Sequence, residues 1–91
     1  MKIKGLIWTS DRIEHIRERH GIYCDEVEEA CKLGYWIRKG RENRYLLYGQ
    51  TENGRYLLVV LEYEFEGKFK VITARNMTDS ERHLYLRRRK E

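Results

Sequence analysis

Ninety-one residues, 41% hydrophobic and 37% charged, describe one folded domain with a single small core and a very polar surface. Proline is absent and the longest purely apolar run, Leu57 to Leu61, has five residues. That excludes a transmembrane helix, and Met1-Lys-Ile-Lys leads into a strand instead of a signal peptide, so a cytoplasmic protein is expected. The formal charge of +4 is concentrated at one end: residues 82–91 hold five Arg/Lys against one acid, while residues 1–81 hold fourteen of each. Such a patch binds nucleic acid or forms a solvated helix end.

In chain order, Ile3 to Trp8 reads as a short strand weakened by Gly5. Thr9 and Ser10 offer caps for a helix from Ser10 to about Arg19, with Asp11 favoured by the dipole. Ile13, Ile16 and His20 fall on one face of it, and Gly21 stops it. A second helix is predicted from Cys24 to about Leu33, acidic at its start, with Val27, Ala30 and Cys31 facing inward. Cys24 and Cys31 are about 10 Å apart along such a helix, too far for a disulfide, and no Cys/His spacing resembles a metal site, so both are expected to be reduced.

The next elements read as strands: Tyr35 to Lys39, Arg44 to Gln50, Arg55 to Phe65 and Phe69 to Arg75. Gly40 to Asn43 is a turn, Asn53-Gly54 has the sequence of a type I′ hairpin, and Gly67 marks a second hairpin. Both faces of Tyr56 to Leu61 are apolar, which places that strand centrally with helices packed on it. The order is β-α-α-β-β-β-β-α. The class is α+β, a small antiparallel sheet with two N-terminal helices and one basic C-terminal helix from about 78 to 90.

The chemistry is expected around residues 72–85. Arg75 ends an apolar strand, where a guanidinium can grip a phosphate in two bonds or pair with a glutamate. Thr78-x-x-Glu81 is a capping box, which explains both residues; Glu81 is also a candidate general base. Arg82 and Tyr85 share a helical face and can bind phosphate and stack on a base, or pack on the sheet. His20 is a candidate acid/base group or a helix-end cap. His15 and His83 read as surface residues, and Trp8 and Trp36 as core or sheet-face aromatics. Nucleophile elbows, phosphate-cradling glycine loops and paired carboxylates are missing. What remains is the kind of site that cuts RNA without a metal or cofactor: the ribose 2′-hydroxyl attacks, and the protein positions the phosphodiester, stabilises its charge and moves protons.

Several segments resemble BrnT-type toxins. Trp8, Arg12, Arg19-His20-Gly21-Ile22 and the acidic Asp25 to Ala30 resemble the N-terminal half of that family. Gly49-Gln50-Thr51 and Gly54-Arg55-Tyr56-Leu57 with Val59-Val60 resemble its Gly-x-Thr and Gly-Arg-x-Leu-x-Val-Val segment. Ile72-x-Ala74-Arg75, Glu81-Arg82 and Tyr85 resemble its ending. Thr9, Ile16 and Thr73 stand where the family has Asp, Asn and Ser.

The resemblance implies a RelE-like fold and a single toxin-like domain. It implies a metal-independent endoribonuclease of a type II toxin–antitoxin system. Its partners would be an RNA substrate and an antitoxin from an adjacent gene, with dimers forming through the antitoxin complex. Carried over, His20, Arg75, Glu81, Arg82 and Tyr85 are the catalytic candidates. Arg12 and Arg55, with the basic run Arg87, Arg88, Arg89 and Lys90, are the RNA-binding candidates. The rival readings are a non-catalytic basic module that binds nucleic acid, and an interaction domain whose basic helix docks an acidic partner.

Overall fold

The computed structural model describes residues 2–32 and 34–89. Its elements are β1 (Gly5–Ile7), α1 (Ser10–His20), α2 (Cys24–Ala30), β2 (Trp36–Lys39), β3 (Arg44–Gln50), β4 (Tyr56–Phe65), β5 (Lys68–Asn76) and α3 (Asp79–Arg88). The predicted element order holds throughout. The five-stranded sheet runs β1-β5-β4-β3-β2, so β4 is central as its two apolar faces require. β2 to β5 pair antiparallel. The sheet is nevertheless mixed, because β1 lies parallel to β5 at one edge. Helices α1 and α2 separate β1 from the hairpins, and hairpin logic therefore does not reach it. The predicted ends at Leu33 and Lys90 lie outside the described residues.

One face of the sheet carries the main core. Ile16, Ile22, Val27, Ala30 and Cys31 pack there on Leu47, Leu57, Val59, Leu61, Phe69, Val71 and Ala74. Ile13, placed on the same helical stripe by periodicity, instead stays 36% exposed. Cys24 and Cys31 are both free thiols, and burial followed by the charge of Glu28 pushes Cys31 up to about 12. The second face has a smaller cluster of Tyr48, Leu58 and Tyr85, with Trp36, Leu46, Tyr56, Met77 and Leu86 around it. The sheet register runs Trp36, Tyr48, Leu58, Arg75 across four strands on this face.

Turn chemistry differs from the sequence reading. Thr51 to Gly54 forms a β-turn closed by Gly54 N–H on Thr51 C=O. The Thr51 hydroxyl donates to Asn53 Oδ1 and accepts from Arg55 N–H. Asn53 does not take the positive φ of a primed turn, since among the described non-glycine residues only Glu42 and Glu66 do so. The primed pair is Glu66-Gly67, at φ 48° and 79°, between Phe65 and Lys68.

Candidate nucleic-acid interface

At the C-terminal end of β5 the chain turns into α3. Thr78 accepts the Glu81 N–H, and the Glu81 carboxylate accepts the Thr78 N–H, completing the expected capping box. The same carboxylate takes both end nitrogens of Arg75, Nη1 to Oε1 and Nη2 to Oε2, each at 2.8 Å. Arg75 Nη1 also donates to Asn76 C=O. The structural alternative read from the sequence for each residue is thus realised: Glu81 caps the helix, and Arg75 pairs with a glutamate. These bonds hold the carboxyl at about 2, with the Arg75 hydrogen bond the largest cause. A carboxylate so acidic and so fully engaged is an anchor and a poor proton acceptor at neutral pH.

The pair leaves Arg75 available. Its five donors are arranged in a planar fork, and Glu81 and Asn76 occupy Nη1 and one hydrogen of Nη2. The Nε edge has no protein partner among the described residues, and the side chain is 41% exposed. Arg82 lies on the same face. It pairs with Asp79 at 3.6 Å, and its guanidinium sits 5.6 Å from the Tyr56 ring centroid. Further along, Arg38 and Arg88 stand 5.6 and 5.7 Å from the Trp36 ring, and Arg89 lies 5.5 Å from Tyr85 while donating to Gln50. Arg87 is exposed in the last turn of α3, and Lys90 lies outside the described residues. Cations and aromatic rings therefore alternate across the α3 face.

The remaining candidates have other surroundings. Tyr85 is 1% exposed and its hydroxyl donates to Gly34 C=O at 2.7 Å, so its ring fills the core under α3 and offers no face to a base. Arg55 stands on the α1/α2 side. It donates to both oxygens of Glu26, to His20 C=O, to Gly21 C=O and to Asn76 Oδ1, tying two helices to the end of β5. His20 ends α1 on that side, half-buried, with its ring 6.2 Å from His15. His20 and the Arg75–Arg82 group meet the same end of β5 from opposite faces of the sheet.

Arg12 donates to Ile72 C=O. Ile72 is the extra residue of a β-bulge, because Val60 pairs with Thr73 and Leu61 with Val71. Arg12 thus bonds the backbone where the ladder is interrupted. Tyr48 carried no sequence signal beyond its place in an apolar strand, yet the register sets it on the same sheet face as Arg75, with Leu58 between them.

Fold and site together define a small α+β protein whose sheet carries a cationic, aromatic face beneath a capped C-terminal helix. Neither a family model nor a curated protein matches the sequence. Among solved structures, the crystal structure of the Brucella abortus ribonuclease toxin BrnT matches with a TM-score of 0.70 at 16% identity. The match covers 82% of this chain and 97% of that one. The chain therefore has the BrnT fold, as the sequence resemblance implied. Among the described residues no helix is long and apolar enough to cross a membrane.

Proposed function

We propose that the protein is an RNA-cleaving toxin of a toxin–antitoxin pair, and that the α3 face receives the RNA backbone. The observation that carries this reading is the fold shared with a ribonuclease toxin over nearly that toxin's whole length. The arrangement of Arg75 supports it: a guanidinium fixed by Glu81 with its Nε edge open is preorganised for a phosphate oxygen. Arg82 adds a second charge on the same face. In the proposed reaction the 2′-oxygen bonds to phosphorus as the bond to the 5′-oxygen breaks, the 2′-hydroxyl proton passes to solvent or a base, and a proton from solvent completes the departing 5′-hydroxyl. Arg75 and Arg82 offset the charge that builds on the phosphate. Glu81 positions Arg75 in this scheme, and His20, on the other side of the sheet, is given no part. The cleavage needs no metal, and the partner is an antitoxin encoded nearby that covers the cationic face.

A second reading has its own support. Two of the candidates for proton transfer are engaged elsewhere, Glu81 by Arg75 and Tyr85 by Gly34. A non-catalytic module that holds nucleic acid or an acidic protein through the same arginines fits that fact. The two readings separate when the purified chain is incubated with single-stranded RNA in the presence of a chelator. Cleavage products ending in cyclic phosphate, reduced about 100- to 1000-fold in Arg75→Ala, bear out the first. Salt-dependent binding with intact RNA bears out the second. Expression with and without the neighbouring gene, following total RNA, tests the toxin pairing.

A further inference from the structure

Tyr48 lies in the middle of β3 on the α3 face and is 4% exposed. Its ring stacks against Trp36 at 4.9 Å between centroids. Its hydroxyl has no hydrogen-bond partner among the described residues. Yet no buried side-chain oxygen among them is left unpaired, so the hydroxyl tip must reach solvent. A phenylalanine would fill the same space, and the hydroxyl adds no bond to the protein among the described residues. The packing of the small core therefore gives no reason for the oxygen.

Its direction supplies one. Tyr48 faces Leu58 across β3 and β4, and Leu58 faces Arg75 across β4 and β5. All three point to the same side of the sheet, so Tyr48 and Arg75 lie two strands, about 10 Å of backbone, apart on one face, within the combined reach of a tyrosine and an arginine side chain. A buried ring whose tip has no protein partner among the described residues thus shares a sheet face, across one intervening strand, with an arginine that has a free donor edge.

We propose that the Tyr48 hydroxyl is a substrate-contacting donor that shares a phosphate oxygen with Arg75. The proposal rests on the reading of the α3 face as a phosphate-binding surface, and holds whether or not the RNA is cut. Bound phosphate would take the place of solvent as the hydroxyl's partner. The contact is charge-assisted on the phosphate side, so its loss is expected to cost about tenfold in affinity.

The probe is uridine 3′-phosphate, titrated into the full chain carrying tyrosine labelled with carbon-13 at Cζ. The Tyr48 resonance is assigned through bonds, so no variant needs to fold. A saturable shift of Tyr48 that disappears in Arg75→Ala is expected. Tyr48→Phe should melt within about 2 °C of the parent, because no protein hydrogen bond is lost, yet bind the nucleotide about tenfold more weakly. An unmoved Tyr48 resonance at nucleotide concentrations that shift the Arg75 Nε signal overturns the proposal. So does a Tyr48→Phe chain that binds as tightly as the parent. Intact RNA alongside a shifting Tyr48 would remove the cleavage reading and leave this contact standing.

Discussion

The Glu81 carboxylate is where structure and chemistry compete, and its charge can be tested directly by Glu81→Gln. The glutamine keeps the size and an oxygen for the Thr78 N–H, and removes the charge facing Arg75 together with the acceptor that Arg75 Nη2 uses. A carboxyl lowered from 4.5 to about 2 corresponds to about 3 kcal/mol of folding stability, at about 1.4 kcal/mol for each pH unit. Arg75 is 41% exposed, so water and salt screen the pair, and about 1–2 kcal/mol is the figure to expect. The sign follows from the direction. A lowered carboxyl stabilises the fold above its unfolded value near 4.5, and that contribution disappears as the pH falls towards 2. Urea unfolding should therefore show the parent more stable than Glu81→Gln by about 1–2 kcal/mol at pH 7, narrowing steadily below pH 4.5. Parallel curves from pH 7 to 2.5 would refute the ion pair's contribution. The same variant separates anchor from base. If a limb of an RNA-cleavage pH profile between 5 and 8 vanished in Glu81→Gln, Glu81 would be a general base and the reasoning from its acidity would fail.

Three further outcomes follow from the contacts. Arg55→Ala strips five bonds from Glu26, Asn76 and the carbonyls of His20 and Gly21, and should cost about 2–4 kcal/mol, or roughly 10–25 °C in melting temperature. A loss under about 3 °C by circular dichroism would mean the arginine does not hold the helices to β5. Gly49→Ala drives a methyl group into the Ala30 carbonyl of α2 and should cost at least about 2 kcal/mol in urea, since backbone meets backbone and no rotamer relieves it. Unchanged stability would show that α2 can slide on the sheet. Replacing Arg87, Arg88 and Arg89 with glutamine should lower the slope of log affinity against log salt by about 2 in anisotropy measurements with single-stranded RNA. An unaltered slope would place the RNA away from the end of α3.

Much of the architecture is legible in local residues. Thr9 and Gly21 bracket α1, the capping box starts α3, and the doubled apolar pattern of β4 places it at the centre of the sheet. These signals survive because each is satisfied within a few residues or by one nearby layer. The parallel pairing of β1 escaped, because it depends on a partner more than sixty residues away. The turn at Asn53-Gly54 was misread because the Thr51 hydroxyl selects a longer loop, while the primed turn formed at Glu66-Gly67.

The candidate site divides differently. The sequence places cations at positions 75 and 82 and a basic run from 87, and it identifies a capping box at Thr78 and Glu81. It does not say which donors remain unspent. Arg12 satisfies a bulge carbonyl, Arg55 joins two helices to a strand, and Tyr85 closes the core on Gly34. Arg75 keeps an open edge on the sheet face that also carries Tyr48, whose hydroxyl has no protein partner among the described residues. An arginine's donors are the same in every sequence, and the acceptors that occupy them come from residues one to sixty positions away. The tertiary structure alone therefore separates the arginines that hold this fold from those that face outward.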